Sequence, residues 1–266
     1  PRRVMAEITA KDVKALRDAT GAGMMDAKKA LVEAEGDATK AARILREKGL
    51  TKVATLEDRE NNQGAVAIAG SGNVAALVEL KAETDFSAKS EDFVALVAKL
   101  AEAVLADGEG AIETLAEDID TLKLTKKENI VVGKVARFEA AEGNVLDTYT
   151  HEQDGRGTVG VLVEIDGADE ELAHEIALHI AFAKPSALER SEIDPALVET
   201  AREGFEDLTR KEGKPEQAIP KIVEGRVNSW YAERVLPEQG MFGDKETVQD
   251  RLGQGRIVRF ALANIG

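Results

Sequence analysis

Residues 74–104 read VAALVELKAETDFSAKSEDFVALVAKLAEAV, and residues 158–182 read TVGVLVEIDGADEELAHEIALHIAF. Each is an apolar strand ending in Leu-Val-Glu (Leu77, Val78 and Glu79; Leu162, Val163 and Glu164), then a polar turn, then an amphipathic helix. A further strand pattern follows each: IVVGKVARFEA from Ile130 and RIVRFAL from Arg256, both containing Arg-Phe. A duplication of such long period predicts an α+β fold with two related units, each an antiparallel sheet with helices on one face, and not a solenoid. The two turns differ. The first sets Asp85 beside Phe86, whereas its counterpart, IDGADEEL, has no aromatic. The pattern alone leaves Phe86 either tucked under the helix or offered to a partner.

On the N-terminal side, residues 9–49 read as three short helices. Thr9 with Asp12 resembles a capping box, and Val13 and Leu16 supply an apolar side. Gly21 and Gly23 break the first helix, and the second runs from Met24 to Ala34 before Gly36. Asp37 caps a third that is expected to end before Gly49. Leu31, Ala34, Ala41 and Leu45 suit a small shared core. One of Met24 and Met25 is expected to fill it and the other to be exposed, since adjacent helical residues point ~100° apart. Residues 50–63 read as a partly helical linker, and the GSG at 70–72 as a hairpin turn. Residues 1–4 precede Met5 and are set aside as a candidate foreign segment.

Residues 191–235 interrupt the second unit. Asp194 and Pro195 mark a helix start, followed by Val198, Ala201, Phe205 and Leu208 at helical spacing. After a break at Gly213 and Pro215, a second helix carries Ile219, Ile222, Val223, Val227 and Trp230. This predicts an antiparallel helical hairpin with a narrow, coiled-coil-like stripe, and Trp230 packing its base.

The 266 residues carry a formal net charge of −15, with basic runs no longer than short pairs such as Lys28 and Lys29, which disfavours direct nucleic-acid binding. No apolar run has the length of a membrane span. The absence of cysteine excludes disulfides, zinc-thiolate sites and cysteine nucleophiles, and fits a reducing compartment. No phosphate loop or dinucleotide fingerprint occurs. His174 and His179 are five residues apart, the wrong spacing for one helical face, and read as surface or core-edge residues. His151 reads as part of a turn.

The ordered motifs LRDATGAGMMDAKKALVEAEGDATKA, ETDFSAKSEDF, HIAFAKPSAL and GKPEQAIPKIVEGRVNSWYAERVLPEQ resemble those of the bacterial translation elongation factor Ts family, along the chain from Met5 to Gly266. The resemblance implies a ubiquitin-associated-like three-helix module at residues 5–54, a core N-subdomain at 55–142, a core C-subdomain at 143–190 and 236–266, and an inserted antiparallel coiled-coil hairpin at 191–235. It implies a cytoplasmic guanine-nucleotide exchange factor for elongation factor Tu, with no cofactor, metal or catalytic residue of its own and no membrane partner. In the family an Asp-Phe pair intrudes beside the Mg²⁺ site of the GTPase. Carried over, Asp85 and Phe86 are the wedge, presented outward by Thr84, and Lys14, Arg17, Met24 and Met25 are N-terminal contacts. The hairpin is a candidate surface for a homodimer or a 2:2 complex.

This chain departs from the family at Ala27 and Ala82, where cysteine is frequent, and at Ser87, where the family has valine. Ser87 is expected to loosen the packing that holds Phe86. If it does, the alternative is a GTPase-binding protein without exchange activity. The end at ALANIG implies that the further C-terminal module of some members is short or absent.

Overall fold

A computed structural model describes residues 8–266; the reading of residues 1–4 lies outside the described residues. Thr9 caps α1 (Ala10–Thr20) in the expected box, accepting from the Asp12 N–H while the Asp12 carboxylate accepts from the Thr9 N–H. α2 (Met24–Glu33) follows, and Asp37 accepts from the Lys40 N–H at the head of α3 (Ala38–Ala54). Val13, Leu16, Ala27, Ala30, Leu31, Ala34 and Ala41 form the core of this group.

Two expectations fail here. α3 does not end before Gly49. It runs on to Ala54, because the missing side chain serves a close approach: a Cβ on Gly49 would stand 2.4 Å from Leu124 of α6 (Ala116–Lys126). Nor does either methionine enter the core. Met24 is 44% and Met25 65% exposed, since Ala27, Ala30 and Leu31 occupy the inner face of α2.

The strands are β1 (Gln63–Ser71), β2 (Val74–Ala82), β3 (Val131–Glu139), β4 (Val145–Gln153), β5 (Arg156–Asp166) and β6 (Arg256–Asn264). All pairings among them are antiparallel, and β1 meets β5 at a single pair, Val66 with Gly157. The result is one six-stranded sheet, folded into two three-stranded halves centred on β2 and β5 and joined at that pair. α5 (Glu91–Asp107) covers the first, packing Phe93, Val97 and Leu100 on Val78 and Leu80. α7 (Glu170–Ala183) covers the second, packing Ile176 and Ile180 on Val161 and Val163. The opposite faces meet through Val66, Leu77, Phe138, Leu146 and Leu162. Both faces of β2 are therefore buried, which is why VAALVELKA is nearly continuous in apolar residues instead of alternating. Gly160 allows the halves to close, as a Cβ there would lie 2.5 Å from Val66 and 3.0 Å from Leu77.

Register bears on the duplication. Leu77 lies opposite Ala136 and Leu162 opposite Ala261, and each ladder shifts register close to its Leu-Val-Glu glutamate. Both glutamates are buried. Glu79 accepts from the Lys134 N–H, and Glu164 from the Ala141 N–H, Asn144 and Arg259. Burial pushes Glu164 up, but these donors outweigh it and hold the carboxyl below its usual range. The Arg-Phe pairs do not correspond. Arg137 and Phe138 follow Ala136, whereas Arg259 and Phe260 precede Ala261, so that echo in the sequence is no part of the repeat.

α8 (Pro195–Lys211) and α9 (Ile219–Ala232) form the inserted hairpin, with Asp194 capping α8 through the Ala196 N–H. Ile219, Val223 and Val227 are buried against Val198, Phe205 and Tyr231, while Leu208 faces outward. Trp230 packs at the base with Ala187, Ile193 and Val235. The two ends of the insertion are joined there by a parallel bridge between Ala187 and Val235.

Candidate functional site

The turn after β2 is built from its own sequence. Thr84 caps a single helical turn, α4 (Asp85–Ala88), by accepting from the Ser87 N–H at 3.3 Å. One turn of helix divides its residues into two sides. Ser87 and Ala88 point inward and are buried, while Phe86 stands 87% exposed. Ser87 therefore corrects the expectation drawn from it. Its hydroxyl donates to Glu128 at 2.6 Å, so the serine ties the turn down where valine would only pack.

Glu128 follows the left-handed Lys127 that ends α6. Its carboxylate accepts from the Thr84 hydroxyl at 2.7 Å, from the Ser87 hydroxyl, and from the Glu83 and Thr84 N–H groups at 3.2 Å each. The neighbouring Asn129 N–H donates to Glu83 at 2.6 Å, and the Asn129 amide donates to the Glu57 and Arg59 carbonyls. Nothing local in the sequence announces Glu128, which lies 44 residues from Thr84.

Asp85 is held differently. Lys89 Nζ lies 2.9 Å from its carboxylate and 3.0 Å from Asp154 in the β4–β5 turn. The hydrogen bond from Lys89 holds the Asp85 carboxyl below the usual range, and the hydrogen bonds to Asp85 and Asp154 raise Lys89. Lys89 was legible as the i,i+4 partner of Asp85; Asp154 was not.

The N-terminal candidates form a second group. Lys14 and Arg17 lie one turn apart on α1, and the exposed Met24 and Met25 open α2 across the Gly21 turn. Arg17 is paired with Asp18 at 2.7 Å. No contact brings this group against Phe86 among the described residues. They are linked through α6, to which Arg46 of α3 donates at the Glu117 carbonyl and the Thr121 hydroxyl.

Two of the three histidines differ from expectation, and His174 is at the surface as read. His179 is fully buried, its Nδ1 accepting from the Phe242 N–H at 3.1 Å and its Nε2 facing the Gln239 carbonyl oxygen at 3.1 Å. Burial lowers its pKa. His151 lies in β4, not in a turn, and His174 is exposed beside Asp147. Among the described residues no three or more His, Cys, Asp or Glu side chains are grouped to hold a metal, and no helix is long and apolar enough to cross a membrane.

The family model described as Elongation factor TS matches residues 83–266. Elongation factor Ts of Kineococcus radiotolerans is 42% identical, over 94% of this chain and 94% of that protein. That of Deinococcus radiodurans is 41% identical over 96% and 98%, and that of Paenarthrobacter aurescens 41% identical over 98% and 100%.

Proposed function

This chain belongs to the elongation factor Ts family, and we propose that it releases GDP from elongation factor Tu by binding the nucleotide-free GTPase and driving Asp85 and Phe86 into the Mg²⁺ and phosphate site. The family implies the exchange role in translation elongation; the wedge is the finer part of this reading. The observation that carries it is Phe86, a phenylalanine 87% exposed on a turn whose Thr84 and Ser87 are tied to Glu128. A large apolar side chain held rigidly in water suits a partner's pocket.

Magnitudes limit what the wedge does. A nucleotide bound at nanomolar affinity lies ~12 kcal/mol deep. Burying one phenylalanine contributes only about 1.5–3 kcal/mol. The remainder must come from a broad interface that favours the empty GTPase, and the coupling is reciprocal, so incoming nucleotide weakens the factor's grip. In this reading residues 5–54 act as a ubiquitin-associated-like module that grips the GTPase through Lys14, Arg17, Met24 and Met25. The coiled-coil hairpin at 191–235 lies between the two parts of the core C-subdomain and offers a surface for a second copy or for the GTPase. The site of action is the cytoplasm, and the chain supplies no catalytic group or cofactor.

The test is release of labelled GDP from elongation factor Tu. Acceleration is expected with this chain, and its loss with Asp85→Ala combined with Phe86→Ala. A folded double variant of full activity would rule the wedge out. The alternative of binding without exchange rested on Ser87 loosening the turn, and the Ser87–Glu128 hydrogen bond removes that support.

A further inference from the structure

We infer that Glu128 is the positioning residue of the exchange reaction, fixing the Asp85–Phe86 turn from outside it. This rests on the wedge reading above. The carboxylate accepts two backbone N–H groups and two hydroxyls, and all four donors belong to residues 83–87. Hydrogen bonds to a charged acceptor are the stronger kind, and four on one turn leave it little freedom. α4 is only one helical turn, too short to hold its own shape, so its rigidity must be supplied from elsewhere.

The supplier is itself braced. Lys126 at the end of α6 bonds Asp92 of α5 at 2.7 Å, and Lys99 of α5 bonds Asp118 of α6 at 2.7 Å. Arg46 and Gly49 of α3 pack on the same helix. One element thus meets both the N-terminal helices and, through Glu128, the base of the wedge. α6 with Glu128 sets the position of Phe86 relative to the module that grips the GTPase.

A positioning role has a kinetic signature. Contacts elsewhere keep the factor bound, so the half-saturating concentration should hold while the maximal rate drops. Glu128→Ala is expected to lower the maximal rate of labelled GDP release from elongation factor Tu roughly tenfold or more, as misplaced reacting groups do. In an Asp85→Ala, Phe86→Ala background it should add no further loss, because the groups it positions are gone. Glu128→Gln should restore most of the rate, since its oxygen can accept the two N–H groups while its amide donates to the two hydroxyls. Ser87→Ala removes one donor and should move the rate the same way by less, which keeps the test open if Glu128→Ala folds poorly. Full activity of folded Glu128→Ala, losses that add to those of Asp85→Ala with Phe86→Ala, or Glu128→Gln as impaired as Glu128→Ala would each overturn the positioning role. Full activity of the folded Asp85→Ala, Phe86→Ala double variant would instead remove the wedge itself, and the role of Glu128 with it.

Discussion

The ammonium of Lys89 lies 2.9 Å from the Asp85 carboxylate, one helical turn back, and so fixes the acid beside the exposed Phe86. Because the same ammonium reaches Asp154 in the β4–β5 turn at 3.0 Å, the charge on Asp85 is tied to the second unit as well as to its own.

Lys89→Met should therefore raise the Asp85 pKa toward its ordinary value, read by carboxyl-carbon NMR titration. The sign for stability follows from a lowered folded pKa: the contribution is present above the ordinary carboxylate range and is lost as pH falls through the depressed value. The difference in unfolding midpoint between the chain and Lys89→Met should accordingly shrink on acidification. A difference that does not change between neutral pH and pH ~3 would count against the pairing.

Met24→Ala with Met25→Ala should leave thermal unfolding almost unchanged, as both side chains are substantially exposed. If they grip the GTPase, the half-saturating concentration for GDP release rises several-fold while the maximal rate holds. This is the reverse of the split expected for Glu128.

His179 predicts a second pH effect, with its own window. Burial lowers its folded pKa, so below the ordinary imidazole range near 6.5 the unfolded chain binds a proton that the folded chain refuses. Stability falls as pH drops through that range, toward the lower folded value. Urea midpoints at pH 7.5 and pH 5 should differ less in His179→Gln than in the unmodified chain, although the variant starts lower after losing its fit to Gln239 and Phe242.

Gly160→Val should be destabilising by about 1–3 kcal/mol, the usual cost of overpacking. Its first added carbon already meets Val66 at 2.5 Å, and the facing half of the sheet offers no solvent into which to move. Denaturant unfolding measures the loss, and a variant as stable as the parent would refute the face-to-face closure of the two halves.

What could be read from sequence was what repeats at short range. The strand that opens at Val74 appears, running three residues past Glu79 to Ala82, and the Thr9 and Asp37 caps act as expected. What escaped depends on residues distant in the chain. Gly49 looked like a helix stop because its reason, Leu124, lies on another helix. Met24 and Met25 looked like core candidates because apolar character says nothing of which face is inward. Ser87 looked like a weakness because its partner Glu128 lies 41 residues on, in a connection with no period of its own.

The bridge between Ala187 and Val235 also bears on how this chain can change over time. The polypeptide leaves the second unit and re-enters it at one place, with the Leu236 N–H bonded back to the Ala187 carbonyl at 2.9 Å. α8 and α9 lie beyond that neck, beside which Arg190 also bonds Glu238, the Gln239 amide donates to the Glu233 carbonyl, and Leu188 packs on the second core. Lengthening or trimming α8 and α9 by matched turns alters their reach by ~1.5 Å per residue and asks nothing new of the sheet. The hairpin is in this sense an adjustable limb, able to change in length while the body that carries it stays constant.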